Sequence, residues 1–376
     1  MAEAVKGSGL RNVVAGESSI STIDGTRGLL SYRGIDIHEL ARHSTFEEVV
    51  FLLHRGSLPG RAQLQAFRVQ LARERPIPDT VLSVVRALPR TSHPMTTLRT
   101  AVSALGGLDP DAGDDDLPAA SRKALRLTAQ MATVVAALDR VRNGRAPVAP
   151  DAQLSHAANF LYMLSGERPG EPAARAMDVA LVLHADHEFN ASTFAARVAA
   201  STLSDVHGAI TAALATLKGP LHGGANEAVM RALEEIGRPE RAAEWVRETL
   251  AAKRKIMGFG HAVYRAEDPR ATHLRELSRR MGEESRAGRW YEITAALETA
   301  VRSGKTLYPN VDLYSASLYR ALGLPTDLFT PVFAVSRVAG WTAHVLEQVS
   351  NNKLIRPESE YVGPRDVPYV PIEQRG

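Results

Sequence analysis

The chain has 376 residues, 44% hydrophobic and 23% charged, which is typical of a globular protein of about two domains with a large buried core. Its 45 basic and 42 acidic side chains are interleaved and leave a net charge of +3, so no basic face for nucleic acid is predicted, although an anionic small molecule remains open. The absence of cysteine excludes disulfides, thiolate catalysis and cysteine-ligated zinc.

The N-terminal region predicts a short β-hairpin and no targeting signal. The first residues, MAEAVKGSGLRN, lack the apolar stretch of a secretory signal, and no run of the chain reaches the ~18 apolar residues of a membrane helix. We therefore expect a cytoplasmic protein with no membrane partner. In the following ISTIDGTRGLLSY, Asp24-Gly25 lies between two short runs of strand-forming residues, which predicts a hairpin as the only sheet.

From Thr45 onward the pattern is helical. Thr45, with Glu48 three residues later, makes a capping box ahead of the apolar run VVFLLHRG. Strands that alternate with helices are absent, which argues against an α/β fold, and no repeat period is visible. We predict an almost all-α protein. Helical periodicity, interrupted by breaks that contain proline or glycine, recurs at about 62–74, 78–88, 95–105, 121–142, 151–164, 172–185, 191–203, 205–217 and 225–236.

Two segments carry residues that could suggest a metal. The acidic loop GGLDPDAGDDDLP (106–118) is interpreted as a surface loop, because Gly113 precedes the aspartate run and no glutamate closes an EF-hand pattern. In HADHE (184–188), His184 and His187 could share a helix face, but the H-E-x-x-H pattern is missing. Packing or hydrogen bonding is the favoured interpretation of this pair, and a metal-dependent hydrolase is the alternative.

Four ionisable side chains stand alone within long uncharged runs: His222, His261, Asp312 and Arg337. Burying a charge is costly unless it is paired, so each calls for a partner. Arg337 lies in the middle of a helix that is apolar almost all round, where an internal carboxylate or the carboxylate of a ligand could pair with it. The apolar and aromatic neighbours of Asp312 should raise its pKa, which suits a general base.

His222 and His261 both lie beside glycines. His222, in GPLHGGANEAV, precedes the predicted helix 225–236, and its glycines permit positive φ and the close approach of a ligand; a role in loop geometry alone is the alternative. His261, in GFGHAVYRAEDPR, is followed by Arg265 and Arg270, a pattern that suits a multiply anionic substrate or a solvated basic helix start. A dinucleotide fingerprint is excluded there, because Val263 occupies the position of its third glycine.

Together these segments resemble the citrate synthase family, which joins an acyl-CoA to a 2-oxo acid. The resemblance covers nearly the whole chain in order, and the acidic loop at 106–118 is its least typical part. It implies a helical homodimer in which a small domain, residues 221–322, closes on a large domain made of residues 1–220 and 323–376. The segments that carry it are LHADHEFNASTFAARV (183–198), KGPLHGGANEAV (218–229), IMGFGHAVYRAEDPR (256–270), YPNVDLYSASLY (308–319), LFTPVFAVSRVAGWTAH (328–344) and NNKLIRPESEYVGP (351–364).

The resemblance also implies a chemistry and the residues that perform it. Asp312 would remove a proton from the methyl group of acetyl-CoA, and a neutral His222 would donate a hydrogen bond to the enolate, with its glycines making room for the thioester. His261 would donate to the carbonyl of oxaloacetate, and water would then hydrolyse citryl-CoA. No metal or cofactor is implied.

Substrate-binding residues follow from the same motif matches. Oxaloacetate would be held by His187, Arg270, Arg337 and Arg356, the last from the other subunit. CoA would contact Lys255, Met257, Gly258, Phe259, Gly260, Ala262, Val263 and Arg265. The nearest alternative is 2-methylcitrate synthase, which uses propionyl-CoA, because one methylene supplies only ~1–3 kcal/mol of discrimination. A catalytically silent helical scaffold is the alternative from another class.

Overall fold

In a computed structural model of the protein, residue 10 and residues 13–114, 116–304 and 307–376 are described. These residues form sixteen α-helices and one small sheet, which confirms the prediction of an almost all-α fold. Within these ranges no helix is both long and apolar enough to cross a membrane. The expectation that the first residues carry no signal lies outside the described residues, apart from Leu10.

The sheet contains the predicted hairpin and one further strand. β1 (Ser21–Asp24) pairs antiparallel with β2 (Leu29–Tyr32), which pairs with β3 (Ile35–Asp36). The third strand and the helix after it, α1 (Ile37–His43), were not predicted from the sequence. Both are short, and the Asp36 carboxylate, which accepts from the backbone N–H of His38 at 2.7 Å, starts α1 directly at the end of β3.

The predicted helices are present, with shifts at two starts. Asp116 accepts from the backbone N–H of Ala119 at 2.7 Å, so the helix predicted from 121 begins at Leu117. Ser155 caps the helix that was predicted from 151, which begins at His156. The helices are α2 (Phe46–Arg55), α3 (Arg61–Arg73), α4 (Asp79–Ala87), α5 (Pro94–Gly106), α6 (Leu117–Arg142), α7 (His156–Ser165), α8 (Glu171–His184), α9 (Ala191–Ser201), α10 (Val206–Leu217), α11 (Ala225–Ile236), α12 (Ala242–Ala251), α13 (Pro269–Glu284), α14 (Gly288–Gly304), α15 (Val311–Ala321) and α16 (Phe329–Ser350).

The capping box ahead of α2 is confirmed. The Thr45 hydroxyl accepts from the backbone N–H of Glu48, and a Glu48 carboxylate oxygen accepts from the backbone N–H of Thr45 at 2.8 Å. This reciprocal pair satisfies two backbone donors at the helix start, and such caps contribute about 1 kcal/mol each. It therefore explains why α2 begins at Phe46.

α16 is the central helix of the core. It packs against α6, α9, α8 and α2, and its side chains are buried on all faces over most of its length, as its apolar sequence predicts. Each fully buried Val, Leu or Phe side chain contributes ~1.5–3 kcal/mol, so α16 anchors the fold. Arg337 lies at its middle. α15, which carries Asp312, packs against α11 and α13.

Most residues of the segment after α16 are exposed. It is held at its start, where the Asn352 side chain donates to the carbonyl of Ser201 at 3.0 Å and the Ile355 N–H donates to the Ser201 hydroxyl. Beyond that point it exposes large apolar side chains, including Val362 at 89% and Tyr369 at 82%. Exposed apolar side chains in such number are typical of a surface that contacts another molecule.

Candidate active site

Five of the predicted site residues come from five separate elements. His187 lies in the link between α8 and α9, His222 in the loop before α11, and His261 in the segment between α12 and α13. Asp312 is in the first turn of α15, and Arg337 is at the centre of α16. The fold must therefore bring together residues that are up to 150 positions apart, from His187 to Arg337.

Two loops pair and place the His261 segment beside the start of α15. Phe259 and Pro309 form an antiparallel bridge, and the Asn310 side chain donates to the carbonyl of Gly260 at 2.9 Å. The same Asn310 side chain accepts from the backbone N–H of Asp312 and caps α15. Gly258 and Gly260 have φ of 87° and 74°, a region that favours glycine, so this loop requires its two glycines.

The imidazole of His222 is held in one tautomer. Its Nε2 accepts from the backbone N–H of Ser192 at 3.3 Å and lies 2.8 Å from the Ser192 hydroxyl, which in turn accepts from the indole of Trp341 at 3.1 Å. Since a backbone N–H can only donate, the proton of the neutral ring is on Nδ1. Burial, and then the charge of Arg337, lower the pKa of His222 to about 4. The ring is therefore a neutral donor through Nδ1.

The glycines after His222 do not adopt the conformation expected of them. Gly223 and Gly224 both lack positive φ. Gly223 instead donates its N–H to the carbonyl of Leu217 at 2.9 Å, and a Cβ at this position would lie 2.3 Å from that oxygen. The missing side chain of Gly223 thus makes room for the end of α10, and the expectation of positive φ was wrong.

His261 is held in the opposite tautomer. Its Nδ1 accepts from the backbone N–H groups of Val263 at 3.0 Å and Tyr264 at 3.3 Å, so the proton of the neutral ring is on Nε2. Burial, followed by the charge of Arg270, lowers the pKa of His261 to about 4, and Asp268 opposes this shift. His261 is thus also neutral, with its donor directed away from its own loop.

Asp312 has the environment that its sequence predicted. Burial raises the pKa of its carboxyl to about 6; Arg270 and Arg337 act to lower it, whereas Asp268 adds to the rise. The carboxylate forms no hydrogen bond with a described residue. A carboxylate with a pKa near neutrality and free lone pairs can accept a proton from a substrate.

Arg337 is a buried cation without a carboxylate in contact. The side chain is almost fully buried, its Nε donates to the carbonyl of His184 at 2.7 Å, and its guanidinium lies 4.6 Å from the centre of the Phe333 ring. Within the described chain no carboxylate lies within 4 Å of it, so the internal ion pair considered above is not formed. Burial lowers its pKa to about 10, and Asp186 acts in the opposite direction. A small anion would therefore be stabilised beside it.

Arg270, by contrast, has an internal partner. Its Nε donates to Asp268 at 2.9 Å and its Nη2 at 2.7 Å, and both side chains are almost fully buried. Asp268 also accepts from the backbone N–H of Val311 at 3.2 Å, at the start of α15. The pair fixes the direction of the Arg270 guanidinium next to Asp312.

His187 packs against His261, whereas His184 lies in the core. His187 is 7% exposed; its Nε2 lies 3.2 Å from the hydroxyl of Tyr264, and its ring centre is 5.1 Å from that of His261. Nδ1 of His184 hydrogen-bonds the carbonyl of Ala180 at 2.7 Å. Among the described residues no three histidine, aspartate or glutamate side chains are grouped as metal ligands require, so the metal interpretation of HADHE has no support.

The remaining predicted residues lie toward the surface. Lys255, Ala262, Val263 and Arg265 are exposed, while Met257, Phe259 and Gly260 are half-buried and Gly258 is buried. A cavity of about 190 Å³ opens next to His261 and is lined in part by Gly260, Arg265 and Tyr308. Arg356 is exposed on the segment after α16 and forms no hydrogen bond with another described residue, so it does not contact His187 or Arg337 in this way.

Three supporting residues were not predicted. Ser192 and Tyr264 contact histidines that are 30 and 77 positions away, and such contacts are created by the tertiary fold. The Asp268–Arg270 pair had a local signal, because the sequence Asp-Pro-Arg places a helix-capping aspartate two residues before an arginine.

The chain is similar to known proteins over nearly its whole length. The sequence profile of the family described as citrate synthase, C-terminal domain, matches residues 9–358. The chain is 50% identical to citrate synthase 2 of Bacillus subtilis over 98% of both chains, and 41% identical to 2-methylcitrate synthase of Shewanella oneidensis over 100% of this chain and 99% of that protein. The solved ternary complex of carboxymethyl coenzyme A and oxaloacetate with citrate synthase from Thermoplasma acidophilum superimposes with a TM-score of 0.92, at 35% identity and 98% coverage of each chain.

Proposed function

This chain belongs to the citrate synthase family and catalyses the acyl-transfer condensation of that family, and we propose that it joins acetyl-CoA to oxaloacetate and hydrolyses citryl-CoA to citrate and CoA, the first step of the tricarboxylic acid cycle. The observation that carries the assignment of roles is the pair of opposed tautomers. His222 presents Nδ1–H and His261 presents Nε2–H, while Asp312 alone of the three is placed to accept a proton.

Enolate formation is the first step. Asp312 removes a proton from the methyl group of acetyl-CoA, and the electron pair of the C–H bond moves onto the thioester oxygen. A methyl group next to a thioester is a very weak acid, so this oxygen needs a donor, and Nδ1–H of His222 supplies it. A neutral imidazole, favoured by the pKa of about 4, stabilises the enolate without drawing the oxaloacetate carboxylates away from their arginines.

Condensation and hydrolysis follow. The enolate carbon attacks the keto carbon of oxaloacetate, and the keto oxygen takes a proton from Nε2 of His261, which yields citryl-CoA. The proton that Asp312 took from the methyl group then returns to His261 through water, so both residues regain their starting protonation states. Water then cleaves the thioester and releases citrate and the CoA thiol. Because these steps need only proton transfers and hydrogen bonds, the proposal includes no metal or cofactor.

Oxaloacetate binding is assigned to His187, Arg270, Arg337 and Arg356. Arg337 supports this assignment most strongly, since it is a buried guanidinium that no carboxylate of the described residues contacts. The loop that contains His261 is assigned to CoA through Lys255, Met257, Gly258, Phe259, Gly260, Ala262, Val263 and Arg265. Four of these residues, Lys255, Ala262, Val263 and Arg265, are exposed, and the cavity next to His261 is lined in part by Arg265, which suits a large, charged substrate.

We further propose a homodimer in the cytoplasm whose subunits each have two lobes. Residues 221–322 contain His222, His261 and Asp312, and residues 1–220 with 323–376 contain His187 and Arg337. Closure of one lobe on the other would complete the site and exclude bulk water from the enolate. The apolar side chains exposed after Ser350 support a partner subunit at that segment, which would deliver Arg356 to the partner's site.

Release of free thiol tests the function. Acetyl-CoA with oxaloacetate should release CoA thiol, and either substrate alone should not. A chelator should leave the rate unchanged, whereas a metal-dependent hydrolase would lose activity. If no acyl-CoA released thiol, the catalytically silent scaffold would be the remaining alternative.

The relative of Shewanella oneidensis favours 2-methylcitrate synthase as the second candidate. Comparison of kcat/KM for acetyl-CoA and propionyl-CoA decides between the two, and dual specificity would give ratios within about tenfold.

A further inference from the structure

Three aromatic rings pack against one another at the centre of the candidate site. Ring centres of His187 and His261 are 5.1 Å apart, and the ring of Tyr264 lies 5.6 Å from the first and 4.8 Å from the second. Tyr264 is 4% exposed, and its ring packs beside both imidazoles, which contact each other directly and which the proposed function places on the same substrate molecule.

Tyr264 contacts the two histidines through different atoms. Its hydroxyl lies 3.2 Å from Nε2 of His187, and its backbone N–H donates to Nδ1 of His261 at 3.3 Å. His187 follows α8, whereas His261 precedes α13, and the two are 74 positions apart. One residue therefore connects the segment that carries His261 to the segment that carries His187.

The hydroxyl is the donor in this contact. Burial raises the pKa of Tyr264 and lowers the pKa of His187 well below 6.5, so the phenol keeps its proton and the imidazole is neutral. A phenol is a better donor than acceptor, so its O–H points at the lone pair of Nε2. The proton of His187 is then on Nδ1.

We propose that Tyr264 is a positioning residue for oxaloacetate, which orients His187 through its hydroxyl and supports both imidazoles through the packing of its ring. This inference rests on the proposed function and assigns to Tyr264 a role beyond it. Oxaloacetate carries a keto oxygen, assigned to His261, next to a carboxylate, assigned to His187. The separation of the two imidazoles must match these groups, because a shift of ~1 Å in a bound substrate costs about a hundredfold in rate.

Two substitutions separate the hydroxyl from the ring. Tyr264→Phe keeps the ring and removes the hydrogen bond, so the Kd for oxaloacetate should rise about tenfold while kcat at saturation changes little. Tyr264→Leu also removes the ring, so kcat should fall in addition because His261 loses its support. Tyr162→Phe, on the partly buried Tyr162 of α7, is the matched control and should change neither value.

The pH dependence of oxaloacetate binding provides a readout that packing alone would not change. Without the phenol donor to its lone pair, His187 in Tyr264→Phe should gain a higher pKa, and its protonation at acidic pH should restore affinity for the dianion. The charges that face His187 are Arg270 from α13, Arg337 from α16 and His261 when protonated. Asp312 also titrates near pH 6 but is present in both proteins, so the ratio of the two Kd values isolates His187.

Calorimetric titration of oxaloacetate into the full-length wild type and Tyr264→Phe from about pH 5 to pH 8 tests the proposal. The expected result is a roughly tenfold ratio of Kd values at pH 8 that narrows toward pH 5. A ratio near one at all pH values, or a ratio that does not change with pH, would overturn it. Absence of thiol release by the wild type would refute the proposed function instead, whatever the Tyr264 variants do.

Discussion

Nδ1 of His38 lies 2.8 Å from Nε2 of His273, and this contact joins α1 to α13. Burial, followed by the charges of His38 and Arg42, lowers the pKa of His273 from 6.5 to about 4, and Asp36 opposes this shift. One ring must offer a lone pair for the contact to persist, so it exists only while at least one of the two histidines is neutral. In the proposed division into lobes, this hydrogen bond spans the two.

The first prediction concerns the stability that this pair contributes. Between pH 6.5 and about 4 the unfolded chain binds a proton at His273 that the folded chain does not, so stability is lost as the pH falls through this window. The unfolded His273→Gln variant lacks the group that binds this proton. Its free energy of unfolding should therefore decrease less steeply than that of the wild type as the pH falls from 6.5 to 5. Urea unfolding at several pH values measures the slope.

A control for the pair is available in α1, the helix that contains His38. His43 is in α1 with a side chain that is 72% exposed, so His43→Gln should leave the slope unchanged. Equal slopes for His273→Gln and the wild type would show that the contact does not couple protonation to folding.

The second prediction concerns the general base. Asp312→Asn should reduce turnover by ~10²–10⁴, since this is the range that a general base contributes, while oxaloacetate still binds. The free energy of unfolding, in contrast to turnover, should increase. Because the folded pKa is raised to about 6, ionising Asp312 costs stability as the pH rises from 3.8 to 6, and the neutral amide avoids this cost.

We therefore expect Asp312→Asn to be more stable than the wild type by ~1–3 kcal/mol at pH 7 to 8, with the difference disappearing below about pH 4. Denaturant unfolding gives the stability and thiol release gives the rate. Near-wild-type turnover by the variant would refute the assignment of the base, and lower stability at pH 8 would refute the account of its pKa.

The third prediction concerns how kcat/KM decreases at acidic pH. Asp312 must be ionised to accept a proton, whereas His222 and His261, with pKa values of about 4, stay neutral throughout the range above pH 5. Accordingly, kcat/KM should fall about tenfold for each pH unit below about 6. A rate that is constant down to pH 5 would mean that another group is the base.

The contrast between local and long-range interactions explains what the sequence could predict. The capping box of Thr45 and Glu48 acts within one turn, so the start of α2 was predictable. β3 has two residues and depends on its pairing with β2, so periodicity could not reveal it. The isolated charges Asp312 and Arg337 were informative, because burying them is costly wherever they lie in the chain.

The residues that orient the site could not be predicted in the same way. Ser192 sets the tautomer of His222 from a position thirty residues earlier in the chain, and the Tyr264 hydroxyl contacts a histidine of another segment. Gly223 shows why the role of a glycine is hard to predict from sequence. The sequence suggested that its missing side chain makes room for a ligand, but in the structure the carbonyl of Leu217 lies there. Only the tertiary packing determines which neighbour a missing side chain accommodates.

The fourth prediction separates binding from stability at Arg337. Among the residues that the structure describes, no carboxylate in contact offsets the desolvation of this guanidinium, so Arg337→Met should not lower the free energy of unfolding of the protein without substrate. Oxaloacetate at ~100 times its Kd stabilises a protein that binds it by about 2.7 kcal/mol, and this stabilisation should be absent in the variant. Arg320→Met, where the arginine lies over Trp290, is the control and should keep it. Normal stabilisation of Arg337→Met by oxaloacetate would contradict the assignment.

The last prediction tests whether Arg356 acts in the other subunit. Asp312→Ala and Arg356→Gln should each lose activity as homodimers. In a mixed dimer, if Arg356 completes the partner's site, the site with an intact Asp312 also receives an intact Arg356 and regains activity, whereas the other site has neither. If Arg356 acted within its own subunit, both sites of the mixed dimer would stay defective. When equal amounts of the two variants reassociate at random, half of the dimers are mixed, and each mixed dimer has one working site of its two. Thiol release should therefore return to about a quarter of the wild-type rate. Activity that stays at the level of the separate variants after confirmed subunit exchange would show that Arg356 does not act across the dimer.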